Sequence, residues 1–157
     1  MKDIFSDEDY LLLRLISQAW HAMHKMRNRE LAPLDISGRQ AAVLILIVAA
    51  GDTITAYKIS KWMILEPHTI SQLLKRMEKS GLIKKTLNPD KRKSFKLQLT
   101  EKGLNAYNEA VRLESAHIAM NALSVEERGK LKYLLKLVRD ECLKQMGIRG
   151  RLPYPPF

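Results

Sequence analysis

His68, Thr69, Ser71, Gln72 and Lys75 stand within eight consecutive residues of a segment that is otherwise apolar on one side. A Gln side chain can pair bidentately with adenine, a Lys can donate to guanine acceptors, and Thr and Ser reach bases or phosphates. The chemistry open to this set is hydrogen bonding to base edges in a duplex groove; its plain alternative is a solvated helix face. Downstream, Lys91, Arg92 and Lys93 are three consecutive cations that cannot be buried unpaired. Arg92 suits a narrow A·T minor groove, with Lys91 and Lys93 on phosphates. Asp90 gains nothing near a phosphate, so with Pro89 it reads as structural, orienting Arg92 or capping a turn. Arg76 has two uses open to it, contact with DNA or an ion pair with an acid such as Asp90. Lys58, on an earlier outward face, joins the candidate DNA contacts.

The elements that must position these groups follow from spacing. Ile70, Leu73, Leu74 and Met77 form one stripe of an α-helix, and His68, Gln72, Lys75 and Lys79 form the opposite one. Pro67 suits the first helical position and Gly81 the stop. Before it, Thr55 caps a helix over 56–63 that turns Ile59, Trp62 and Met63 inward and Lys58 and Lys61 outward. The link through Ile64 and Leu65 is as short as a helix-turn-helix requires. After it, 82–87 and 94–99 are strand-like around the turn residues Asn88, Pro89 and Asp90. Helix, turn, helix and basic hairpin in that order make a winged helix-turn-helix. Ile54 and Thr55 are expected to add a short strand to the wing sheet.

Charge placement argues for a polyanionic partner. The chain carries 27 Lys and Arg against 17 Asp and Glu. Twelve of those cations and four of the anions lie between Ile54 and Gly103, so nearly all the net +10 sits on this one segment. Phosphate binding with counterion release needs such concentration, whereas a solubilising charge would be spread along the chain.

The run from Ile70 to Ile83, followed by Pro89-Asp90-Lys91-Arg92 and Leu97-Gln98-Leu99-Thr100-Glu101-Lys102-Gly103, resembles the MarR family of bacterial transcriptional regulators. The informative part is the spacing from the recognition-like helix through the Asp-x-Arg wing to the Leu-Thr-x-x-Gly helix start. The resemblance covers nearly all of the chain apart from the last ten residues. One departure is Ile59-Ser60, where the family usually shows Leu-Ala. The resemblance implies a mainly α fold with a small β-hairpin wing, in the order α1-α2-α3-α4-β-wing-β-α5-α6. It also implies a homodimer on a pseudo-palindromic operator and repression relieved by a small molecule or chemical signal. The family's effector pocket usually falls around Trp20, His24 and the central buried helix.

The rest of the chain fits that plan. At 157 residues with 46% hydrophobic content it can bury one sizeable core. We expect an N-terminal dimerisation helix within 1–34, the DNA-binding domain over 35–100, C-terminal dimerisation helices over 101–147 and an extended tail over 148–157. Ser6 is the expected cap of the first helix. Its apolar stripe, Leu12, Leu15, Ile16, Ala19, Trp20, Met23 and Met26, is broadened by Leu11 and Leu13. Ser37 opens a helix to Ala50 that is apolar on nearly every face. Thr100 caps a helix expected to run from Glu101 to about Asn121. Ser124 and Glu127 make a capping box for the last helix, with Leu131, Leu134, Leu135, Val138 and Cys142 on one stripe. One Cys excludes an internal disulfide framework and fits a reducing cytoplasm, and the longest apolar run, Ala41 to Ala50, is too short for a membrane span.

Other chemistry is thinly supported. His21 with His24, and Glu114 with His117, have spacings that can share a metal on one helical face, and some relatives sense zinc. Solvated or hydrogen-bonded histidines are the default, so no metal or cofactor is expected. Cys142 is expected to be packed in the core rather than to act as a redox sensor. No Gly-rich phosphate loop, Gly-x-Ser-x-Gly elbow or His-Glu-x-x-His motif is present, so no enzyme is implied. The expected function is sequence-specific binding of double-stranded DNA as a cytoplasmic, homodimeric regulator. The alternative is a winged-helix module whose basic face meets an acidic protein.

Overall fold

The computed structural model describes residues 4–87 and 95–148. A 3₁₀ turn, Ile4–Ser6, precedes α1 (Glu8–Leu31), α2 (Gly38–Ala50), α3 (Ala56–Met63), α4 (Pro67–Lys79), β1 (Ile83–Leu87), β2 (Phe95–Leu99), α5 (Glu101–Ala110), α6 (Glu114–Met120) and α7 (Val125–Gln145). The mainly helical winged helix-turn-helix with flanking helices is the fold expected from the sequence.

The core sits around α2. Ala41, Val43, Leu44, Leu46 and Ile47 are buried there, met by Leu31 from α1, Ile59 from α3, Ile70, Leu74 and Met77 from α4, and Ile83 and Leu97 from the hairpin. Ser37 holds the start of α2 by a capping box: its Oγ accepts from the Gln40 N–H at 3.3 Å, and its own N–H donates to Gln40 Oε1 at 2.8 Å. Two first-turn donors are thereby satisfied where the chain enters the core.

Three local expectations are corrected. Asp7, not Ser6, caps α1, its Oδ1 accepting from Tyr10 N–H at 3.1 Å while Ser6 belongs to the preceding turn. Ile54 is extended and buried, but among the described residues the sheet holds only β1 and β2, antiparallel with Ile83 opposite Leu99 and Leu87 opposite Phe95. The single helix expected from Glu101 to Asn121 is two, broken at Val111–Leu113, where Leu113 has φ 52° and ψ 33°. No glycine or proline marks that break.

Outside the core, two helices lack cover among the described residues. Leu12, Leu13, Leu15 and Trp20 of α1 and Leu134, Leu137 and Val138 of α7 are each at least half exposed, and Leu143 is the only buried residue of α7. Exposed large apolar side chains grouped in this way are surface that a partner can cover. No single helix among the described residues is long and apolar enough to cross a membrane.

Candidate nucleic-acid interface

α4 has the two faces its periodicity predicts. Ile70 and Met77 are fully buried and Leu73 and Leu74 nearly so, while His68, Ser71, Gln72, Lys75, Arg76 and Lys79 are exposed and Thr69 is half-buried. Truncating Ile70 or Met77 to Ala would cost about 2–5 kcal/mol, so this face fixes the helix and leaves the other to meet a ligand. Pro67 occupies the first turn, as expected. His68 Nε2 lies 3.5 Å from Thr69 Oγ1, too long to lock either side chain.

The turn that sets α4 against α3 carries a strained residue. Ile64 adopts φ 52° and ψ 45°, a left-handed conformation that a β-branched residue adopts rarely. Leu65 N–H donates to the Ser60 carbonyl at 3.0 Å across the turn. Ile59 and Ser60, the departure from the family pattern, are both buried, and the Ser60 hydroxyl donates to the Tyr57 carbonyl at 2.8 Å. A buried hydroxyl with a partner escapes the usual desolvation cost. Thr55 caps α3, as expected, by accepting from Lys58 N–H at 3.2 Å.

The cations on this side of the molecule divide into two sets. Lys85 pairs with Glu78 at 2.9 Å, Lys96 with Asp52 at 3.0 Å, Lys102 donates to the Ser80 carbonyl at 2.9 Å, and Lys61 lies over the Tyr57 ring. Among the described residues, Lys58, Lys75, Arg76, Lys79 and Lys84 enter no ion pair and remain available to an external anion. Lys58 differs from expectation in being half-buried, at the rim of a cavity of about 240 Å³ between the end of α2 and α3 that Leu46, Ile54 and Trp62 also line. Pro89, Asp90, Lys91, Arg92 and Lys93 lie outside the described residues.

The α4-wing unit is tied to α5 by Thr100. Its Oγ1 accepts from Gly103 N–H at 3.0 Å, capping α5, and donates to the Gly81 carbonyl at the end of the recognition-like helix. Its N–H donates to the Leu82 carbonyl at 3.1 Å.

The remaining candidates lie elsewhere. Trp20 stacks on His24 with ring centroids 5.4 Å apart, and the start of α2 at Gly38 packs against His24 and Asn28. Trp20 and His24, the two effector candidates, therefore stand together where α1 meets α2. His21 Nδ1 donates to the Ser17 carbonyl at 2.7 Å. Among the described residues no group of three or more His, Cys, Asp or Glu side chains is placed to hold a metal. Cys142 is exposed, correcting its expected burial: among the described residues, Leu134, Leu135 and Val138 of the same stripe are exposed with it.

Sequence reading missed Arg27 and Glu30. They form an ion pair at 2.7 Å at the end of α1, and Glu30 accepts from the backbone N–H groups of Glu114 and Ser115 at 3.1 and 3.2 Å. The i, i+3 spacing was visible in the sequence; partners more than eighty residues away were not.

A profile described as the MarR family matches residues 34–94, from before α2 to the wing. The multiple antibiotic resistance protein MarR of Escherichia coli (strain K12) is 28% identical over 139 residues, covering 87% of this chain and 95% of that protein. Among solved structures, the organohalide-sensing RdhR-CbdbA1625 transcriptional regulator in its 2,4-dichlorophenol-bound form aligns over 100% of this chain and 96% of its own, with TM-score 0.85 and 26% identity. A mutant MarR from E. coli complexed with operator DNA aligns over 87% of this chain and 99% of its own, with TM-score 0.78 and 26% identity.

Proposed function

We propose that this chain is a winged-helix regulator of the MarR family, a homodimeric repressor whose two α4 helices read successive major grooves of a pseudo-palindromic operator; the profile match over residues 34–94 and the 28% identity to MarR support the family reading. The single observation that carries the reading is the division of α4 into a buried apolar stripe and an exposed face bearing His68, Ser71, Gln72, Lys75 and Arg76. Gln72 and Lys75 read base edges, with His68, Thr69 and Ser71 beside them. Lys58 and Arg76 contact the backbone, and Lys91, Arg92 and Lys93, placed by sequence on the wing, add phosphate and minor-groove contacts.

The dimer covers the apolar faces of α1 and α7, so 1–34 and 101–147 supply the arms and 35–100 the DNA-binding body. Half-sites then lie about 10 to 10.5 base pairs apart, or a multiple of that spacing. A small molecule or chemical signal releases the operator by altering the spacing of the two recognition helices. The relative bound to 2,4-dichlorophenol and the organic hydroperoxide resistance regulator of Bacillus subtilis (strain 168) support such control. The neighbourhood of Trp20 and His24 is the place to seek the effector.

The test is binding to duplexes selected from random sequence, followed across salt concentration. We expect one preferred sequence and a log–log salt slope of about −0.9 per phosphate contact. Binding without sequence preference, or insensitive to salt, would instead favour an acidic protein as the partner of the basic face.

A further inference from the structure

We propose that Arg27 and Glu30 are positioning residues that set which half-site spacing the dimer accepts. The inference rests on the dimeric DNA-binding reading above. Two routes lead from the winged-helix core towards the dimer arm. One is α1, continuous from its exposed apolar face to Leu31, which is buried in the core. The other is α5 followed by α6, interrupted at Val111–Leu113. Ahead of that break, α5 packs on α2 and β2, with Gly103, Ala106 and Ala110 buried; beyond it, α6 packs on α1.

The Arg27–Glu30 pair is fastened to both sides of the break. Arg27 Nη2 donates to the carbonyl of Ala110, the last residue of α5. Glu30 Oε1 accepts from Glu114 N–H at 3.1 Å, and Oε2 accepts from Ser115 N–H at 3.2 Å and from the Ser115 hydroxyl. Those N–H groups open α6, whose own N-cap residue, Leu113, supplies no side-chain acceptor. A carboxylate borrowed from α1 does the capping that the local sequence omits. Both side chains are largely withdrawn from solvent, at 15% and 16% exposure, so the pair is screened less than a surface pair.

Without this clip, α6 and α7 can pivot on the break relative to the core that carries α4. Size decides whether that matters. If each recognition helix stands about 17 Å from the twofold axis, half the groove repeat, a rotation of about 10° moves it about 3 Å, close to one base-pair step. A small slackening at Leu113 therefore blurs the register between half-sites while leaving each reading head intact.

The experiment compares wild type, Glu30→Ala and Glu30→Gln on duplexes carrying one half-site, or two half-sites at graded spacings, the sequence having been selected by wild type. Circular dichroism and sedimentation establish that each variant is a folded dimer. We expect wild type to favour its preferred spacing over one lengthened by a base pair by about tenfold or more, and Glu30→Ala to reduce that ratio below about threefold with single half-site affinity unchanged. Glu30→Gln keeps one acceptor oxygen but loses the charge, and should fall between; it carries the test if Glu30→Ala does not fold. An unchanged spacing profile in the folded variants overturns the clip alone. Failure of wild type to prefer paired over single half-sites overturns the dimeric reading, and the clip with it.

Discussion

Gly103 lies so close to Leu82 that a Cβ built on it would stand 1.9 Å from the Leu82 carbonyl oxygen. The contact joins the first turn of α5 to the start of the wing, and the obstacle is backbone that also accepts from Thr100 N–H at 3.1 Å. Neither partner can swing aside as a flexible side chain would.

Gly103→Ala is therefore expected to destabilise the chain by about 3 kcal/mol, because separating α5 from the wing outweighs the gain of about 1 kcal/mol that Ala normally brings to a helix. Gly129, within α7, is the control: a Cβ there meets nothing within 4 Å. Gly129→Ala should stabilise by about 0.5–1 kcal/mol. Denaturant midpoints for the two variants should move in opposite directions, and a stabilised Gly103→Ala would refute the contact.

On the proposed DNA face, Lys75 and Lys91 should behave differently. Lys75→Ala is expected to cost about 1–3 kcal/mol on the preferred duplex and less on random duplex, whereas Lys91→Ala should weaken both alike and reduce the salt slope by about one. Fluorescence anisotropy on the two duplexes separates these outcomes. Equal losses for Lys75→Ala would mean that α4 presents a different face to the groove.

The apolar faces of α1 and α7 predict a dimer that one charge can break. Leu134 is 56% exposed within the chain. In a twofold interface each substitution occurs twice, so Leu134→Glu should weaken association by roughly 4 kcal/mol, about a thousandfold in dissociation constant. Sedimentation equilibrium reads the change directly. A variant that stays dimeric at wild-type affinity would place the interface elsewhere.

What the sequence disclosed was whatever is local. Ile70, Leu73, Leu74 and Met77 share one face by spacing alone, and Pro67 and Thr100 announce their helix ends through their own backbone and side-chain chemistry. The break at Leu113 was illegible because the carboxylate that caps α6 just beyond it, Glu30, lies more than eighty residues earlier. Cys142 was misplaced for a related reason: periodicity says which residues share a face but not what covers it, and among the described residues Leu134 and Val138 of that face stay exposed. Ser60 ran the other way, since the buried hydroxyl that departs from the resembled pattern has a partner in the Tyr57 carbonyl. For the proposed DNA face, exposure of Gln72 and Lys75 followed from the apolar stripe opposite them. Half-burial of Lys58, which lines a cavity with Trp62, is a matter of tertiary packing that no spacing encodes.

Stability in acid should report on Glu30. Desolvation raises the affinity of its carboxyl for a proton, but hydrogen bonds from Ser115 and Arg27 together outweigh that and hold its pKa below the ordinary 4.5. A carboxyl depressed on folding contributes stability that is complete above its unfolded value and is lost as pH falls through its folded one. The charges around it are Arg27 on its own helix, Glu114 at the start of α6, and the Arg112–Glu109 pair beside the break, closed at 2.9 Å. Glu127 is depressed too, through its backbone and side-chain bonds with Ser124, so acid destabilisation of wild type alone would not identify the group responsible. The difference between wild type and Glu30→Gln does. Thermal melts from neutral pH to below about 4.5 should show wild type more stable at neutral pH and the gap narrowing as Glu30 is protonated. A gap that stays constant across that range would mean that the Glu30 charge contributes nothing to holding α6 against α1.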